Sequence, residues 1–100
     1  MPNKSNMPDK MYHVYIRKHE AADFVRLTNQ LHCVVELSHT NTSSPIVVSG
    51  KSLMGVLTIC LRGMLLMTFP NGYGEEDKEV VDQILSRWAI ITVKEEGECD

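Results

Sequence analysis

Four histidines, three cysteines and a serine in a glycine-lysine-serine run are the side chains of this 100-residue chain best suited to chemistry. His19 ends the basic run Arg17-Lys18-His19, directly ahead of Glu20 and Asp23. Free backbone N–H groups and the positive end of the helix dipole favour an anion beside a helix N-terminus. Arg17 and Lys18 could equally hold an anion or an acidic partner surface without any covalent step. His13, His32 and His39 stand singly on strands or turns, and a metal needs clustered ligands, so no metal site is expected. Cys33, Cys60 and Cys99 are odd in number and lack metal or redox spacing. Cys33 and Cys60 lie in apolar surroundings and read as small buried hydrophobes, Cys99 as an exposed thiol on a tail. Gly50-Lys51-Ser52 lacks the preceding glycine of a phosphate-binding P-loop. Ser52 reads first as the N-cap of a helix.

These residues sit on a regular alternation of elements. Tyr12, Val14 and Ile16 alternate with polar neighbours, which predicts a strand. Ala21, Phe24, Leu27 and Leu31, with Val25 beside them, form one face of a helix whose first turn carries Glu20 and Asp23. Cys33, Val35 and Leu37 alternate again and predict a second strand. His39 to Ser44 is polar, with Asn41 as a turn signal. Ile46 to Val48 predicts a third strand, opened by Pro45. A helix follows from Ser52 through Leu53, Met54, Val56, Leu57 and Ile59, closed by Arg62-Gly63. Met64 to Phe69 is a strand-length apolar run. After the Pro70 to Gly74 loop, Glu75, Glu76 and Asp77 open a helix with a core stripe of Val80, Val81, Ile84, Leu85 and Trp88.

The order β-α-β-β-α-β-α, with helices on one side, predicts a two-layer α/β sandwich in one domain over residues 11–89. Residues 1–10 read as a flexible leader and 90–100 as a C-terminal extension or tail. Ile90 to Val93 could be a fraying helix end, an added strand or a contact surface. Composition agrees with a soluble globular domain, at 43% apolar and 23% charged residues. A net charge of −3 argues against a nucleic-acid partner, which needs a basic face. No apolar stretch reaches the length of a membrane span, and the leader lacks the core of a signal peptide, so a cytoplasmic protein is expected.

Several segments, in this order, resemble the HPr family, the histidine-containing phosphocarriers of bacterial sugar uptake. Ala21-Ala22-Asp23-Phe24-Val25 looks like the Ala-Ala-x-Phe-Val opening of the family's first helix. Gly50-Lys51-Ser52-Leu53-Met54-Gly55-Val56 is similar to the Lys-Ser-Ile-Met-Gly-Val segment of Gram-positive members. Arg62-Gly63, the Met64 to Phe69 run and Gly74-Glu75-Glu76-Asp77 match the last strand and helix start. The resemblance covers Met11 to Trp88. It implies an open-faced sandwich: an antiparallel four-stranded sheet with three helices on one face. It also implies protein partners such as enzyme I, sugar-transport components or a regulatory kinase, and no cofactor.

The chain departs from the family at the phosphate acceptor. The family motif is His-x-Arg-Pro-Ala-Ala-x-Phe-Val, and counting back seven residues from Phe24 reaches Arg17, not a histidine. His19 takes the arginine position, Glu20 the proline position, and Ile16, not glycine, precedes Arg17. A Glu20 carboxylate in the first turn would compete with phosphate for the same N–H groups. The favoured expectation is therefore an HPr-like protein, not an enzyme, that has lost phosphotransfer and acts by binding or regulation. Leu53, Met54 and Leu57 would form its apolar docking patch, and Ser52 would be the regulatory phosphorylation site that the family match implies. The alternatives are an active carrier using a displaced His19, with Arg17 and Lys18 binding the anion, and a general α/β interaction module.

Overall fold

The computed structural model describes residues 10–39 and 46–90 of the chain. Its strands are β1 (Lys10–Val14), β2 (Glu36–His39), β3 (Ile46–Ser49) and β4 (Leu65–Phe69), and its helices are α1 (Ala21–Thr28), α2 (Leu53–Cys60) and α3 (Glu75–Trp88). The strands pair antiparallel in the order β1-β4-β2-β3. This is the expected open-faced sandwich.

Alternation along the strands decides the two faces. Val14, Leu37, Leu65, Met67 and Phe69 point to the helices and are almost fully buried. Met11, His13, Glu36, Ser38, Val47, Leu66 and Thr68 lie on the opposite face by register. The helices close the core with Phe24 and Leu27, Val56 and Ile59, and Val81, Ile84 and Trp88. Val80 and Leu85 are half-buried at its margin. Phe24 and Trp88 meet edge to face at 5.2 Å, which joins α1 to the end of α3. No helix among the described residues is long and apolar enough to cross a membrane.

Several element bounds differ from the expectation, each for a tertiary reason. Lys10, assigned to the leader, is the first residue of β1 and pairs with Phe69. β1 stops at Val14, so Ile16 is buried on an irregular segment and not on a strand. α1 ends at Thr28, whose hydroxyl donates to the Gly50 carbonyl at 2.8 Å; Leu31 enters the core from beyond the helix. The second strand starts at Glu36, because the amides of His32 and Cys33 turn toward Asp77 instead of a neighbouring strand. Cys60 is buried as expected, while Cys33 is only half-buried.

Ile90, assigned to the tail, is still tied to the domain. Its N–H donates to the His13 carbonyl at 2.8 Å, the Tyr15 N–H donates to the Trp88 carbonyl at 3.0 Å, and Ala89 bridges Val14 antiparallel. The leader to Asp9, Asn41, Pro45, the rest of the Ile90 to Val93 run and Cys99 lie outside the described residues.

Candidate functional site

The segment between β1 and α1 holds the basic run. Arg17 is extended, with φ −78° and ψ 152°, and the chain then makes a 3-10 turn over Lys18–Glu20 that runs straight into α1. The turn is closed reciprocally. The Glu20 N–H donates to the Arg17 carbonyl at 2.8 Å, and the Arg17 N–H donates to Glu20 Oε1 at 3.2 Å. The same oxygen accepts from the Trp88 indole Nε1 at 3.2 Å, across 68 residues of chain. Around it, Arg87 stacks over the Trp88 ring at 4.3 Å, and Asp23 pairs with Arg26 at 3.0 Å and Arg87 at 3.6 Å.

One oxygen of the Glu20 carboxylate is thus engaged twice. The Arg17 amide holds its carboxyl below the usual carboxylate range; burial opposes this, and the Trp88 indole and the nearby Arg17 and His19 side chains add to the lowering. The sequence led to a carboxylate competing for the N–H groups of α1 itself. The observed position is one turn earlier: Glu20 accepts from Arg17, while the Ala21 N–H is already used by the Lys18 carbonyl. A continuous 3-10 to α transition moves the open end of the helix back to Arg17, and the carboxylate follows it.

Arg17, Lys18 and His19 are all brought together on this turn and all exposed. Arg17 lies over the Tyr15 ring at 5.9 Å. His19 makes no hydrogen bond or ion pair to any described residue, so nothing fixes its ring toward an incoming group.

Ser52 stands at the N-terminus of α2, with its hydroxyl oxygen accepting from the Gly55 N–H at 3.1 Å. Two contacts weld this start to the end of α1: Thr28 to the Gly50 carbonyl, and the Asn29 side-chain amide to the Lys51 carbonyl at 3.0 Å. Ser52 therefore neighbours the C-terminus of α1, about 12 Å of helix away from the basic turn. Leu53 is 43% and Met54 75% exposed, whereas Leu57 is half-buried against the core. Leu61, just past the helix, is 72% exposed and was not singled out from the sequence.

One polar cluster was missed altogether. Asp77, in the first turn of α3, is 2% exposed. Its carboxylate accepts from the His32 amide at 3.0 and 3.1 Å, from the Cys33 amide at 3.1 Å, and lies 3.0 Å from His32 Nδ1. Burial pushes the Asp77 carboxyl up, but the His32 amide, the His32 ring and the Cys33 thiol together outweigh it and hold it below the usual range. The Cys33 thiol is pushed up to about 11, first by burial and then by donating to Asp77 beside that negative charge. A histidine, a cysteine and a carboxylate in contact suggest a nucleophile, yet this thiol stays protonated at neutral pH and the carboxylate is occupied by amides. The cluster is a clasp between the start of α3 and the segment leading to β2. Its sequence signal was only a third acid beside Glu75 and Glu76, and its partners lie 44 and 45 residues away.

Among the described residues, no group of three histidine, cysteine or acidic side chains is placed to hold a metal ion. Compared with known proteins, the chain matches no protein family, no curated protein and no solved structure.

Proposed function

We propose that this chain is an HPr-like binding or regulatory protein of the bacterial sugar phosphotransferase system that has lost phosphotransfer. The observation that carries the reading is the Glu20 carboxylate, held by the Arg17 amide and the Trp88 indole at the mouth of α1. An incoming phosphoryl group would meet this fixed negative charge beside the helix start, with the Arg17 and Ala21 amides already used. Arg17 stands where the resembled family carries its acceptor histidine, so no imidazole faces that mouth from the usual position. Arg17, Lys18 and His19 remain as an exposed basic surface suited to an acidic partner.

The protein then works by docking in the cytoplasm. Leu53, Met54 and Leu57 give an apolar surface on α2, and methionine adapts to varied partners. Enzyme I, sugar-transport components and a regulatory kinase are the partners that the resemblance implies. Ser52 would receive the regulatory phosphate. A phosphate there gains the N-terminal dipole of α2 but must displace the hydroxyl from the Gly55 amide.

The test is intact-mass measurement of the full chain after incubation with enzyme I and phosphoenolpyruvate. No added phosphate is expected, under conditions that fully modify an ordinary phosphocarrier. One acid-labile phosphate, lost in His19→Ala, would instead make this a carrier with a displaced acceptor and refute the reading.

A further inference from the structure

The sheet layer holds a second polar site, apart from both the basic turn and the exposed face of α2. By register, His13, Leu66 and Ser38 form one row across β1, β4 and β2 on the face opposite the helices. Adjacent strands lie about 4.8 Å apart, so His13 and Ser38 flank Leu66 at a span of about 10 Å. His39, at the end of β2, and Arg62 and Met64, from the turn after α2, complete the walls of a cleft of about 410 Å³. That size is within the range of small-molecule sites.

The lining is one-sided in charge. Among the described residues it contains two imidazoles, a guanidinium and a hydroxyl, and no carboxylate. Among the described residues Arg62 pairs with no acid, although acids outnumber basic residues in the chain by 13 to 10. Ser38 is only 9% exposed. His39 Nδ1 is buried and has no hydrogen-bond partner among the described residues. Buried polar atoms are almost always paired, so this orphan, on a residue that lines the cleft, marks an unmade bond.

We propose that this cleft binds a small organic oxyanion, a phosphate ester or a carboxylate. The Arg62 fork grips two oxygens of the head group. Ser38 donates from the β2 wall and His13 from the β1 wall. Leu66 and Met64 take the apolar part of the ligand, which separates this site from a bare ion site. Neither the loss of phosphotransfer nor docking through α2 is needed for this binding.

The test is an NMR titration of the isotope-labelled full chain near pH 6, at constant ionic strength, with glycerol 3-phosphate in one arm and succinate in the other. Saturable shifts at His13, Ser38, His39 and Arg62 are expected in at least one arm, and the responsive arm identifies the head group. Arg62→Gln, an exposed position whose fold is checked by spectral dispersion, should weaken binding about tenfold or more, the loss of one charge-assisted contact. Arg17→Gln should leave binding unchanged. Absence of saturable shifts in both arms, indifference to Arg62→Gln, or shifts centred on Arg17 to His19 and lost in Arg17→Gln would each overturn the proposal.

Discussion

Removing the Asp77 carboxylate should cost this domain a large part of its stability. The group is 2% exposed and accepts from two backbone amides at 3.0–3.1 Å, with the His32 ring also at 3.0 Å. Hydrogen bonds to a charged acceptor contribute about 1.5–3 kcal/mol each, and burying an unpaired amide costs a further 1–3 kcal/mol or so. These terms overlap, and His32 is largely exposed, so Asp77→Ala should lose about 3 kcal/mol. Asp77→Asn should lose about 2 kcal/mol, because its amide oxygen can serve one N–H while its NH₂ group opposes the other. A domain of this size is stable by only about 5–15 kcal/mol, so either loss is easily read. Urea unfolding can be followed by the fluorescence of Trp88, the single tryptophan and nearly buried. With a slope of about 1.5 kcal/mol per molar, Asp77→Ala should lower the midpoint by about 2 M.

The pH dependence supplies a second check with a definite sign. The folded-state pKa of Asp77 is depressed. Its contribution is therefore fully present above the unfolded value, about 3.9, and is lost as pH falls through the lower folded value. The gap between wild type and Asp77→Asn should be constant from about pH 5 to 8 and shrink below about pH 4. A midpoint for Asp77→Ala within about 0.5 M of wild type near neutral pH would refute the clasp. So would a gap that persists undiminished on acidification.

Two further outcomes follow from packing and burial. Alkylation at Cys33, read by peptide mass, should keep rising with pH beyond the value of about 8.5 where a free thiol begins to level, because its pKa is pushed up to about 11; a plateau near pH 9 would contradict the contact with Asp77. Gly50→Ala should destabilise by about 1–3 kcal/mol in urea unfolding, because a Cβ there would stand 2.7 Å from Val35 Cγ1, a stiff side chain 1% exposed; a neutral result would mean that Val35 can move aside.

Legibility depended on how local the deciding contacts are. The α3 stripe was readable because the helix period sorts apolar from polar residues within one segment: Val81, Ile84 and Trp88 are buried, with Val80 and Leu85 beside them. α2 was not sortable, since Leu53 to Cys60 is apolar at nearly every position. Only packing against β3 and α1 sends Val56, Ile59 and Cys60 inward and leaves Leu53 and Met54 exposed. The alternation of Cys33, Val35 and Leu37 continues unbroken, so nothing local announces that β2 begins at Glu36. The Ser52 cap was legible because its acceptor and donor lie three residues apart.

The sequence by itself determined the order of elements and the two layers, because period and capping are local properties. Tertiary structure alone decided what the acids do. Glu20 meets Trp88 across 68 residues, and Asp77 meets His32 across 45. It also decided that His13, Ser38, His39 and Arg62 share one cleft. Such meetings depend on strand register and helix seating, which fix contacts between residues whose own neighbourhoods in the chain give no sign of one another.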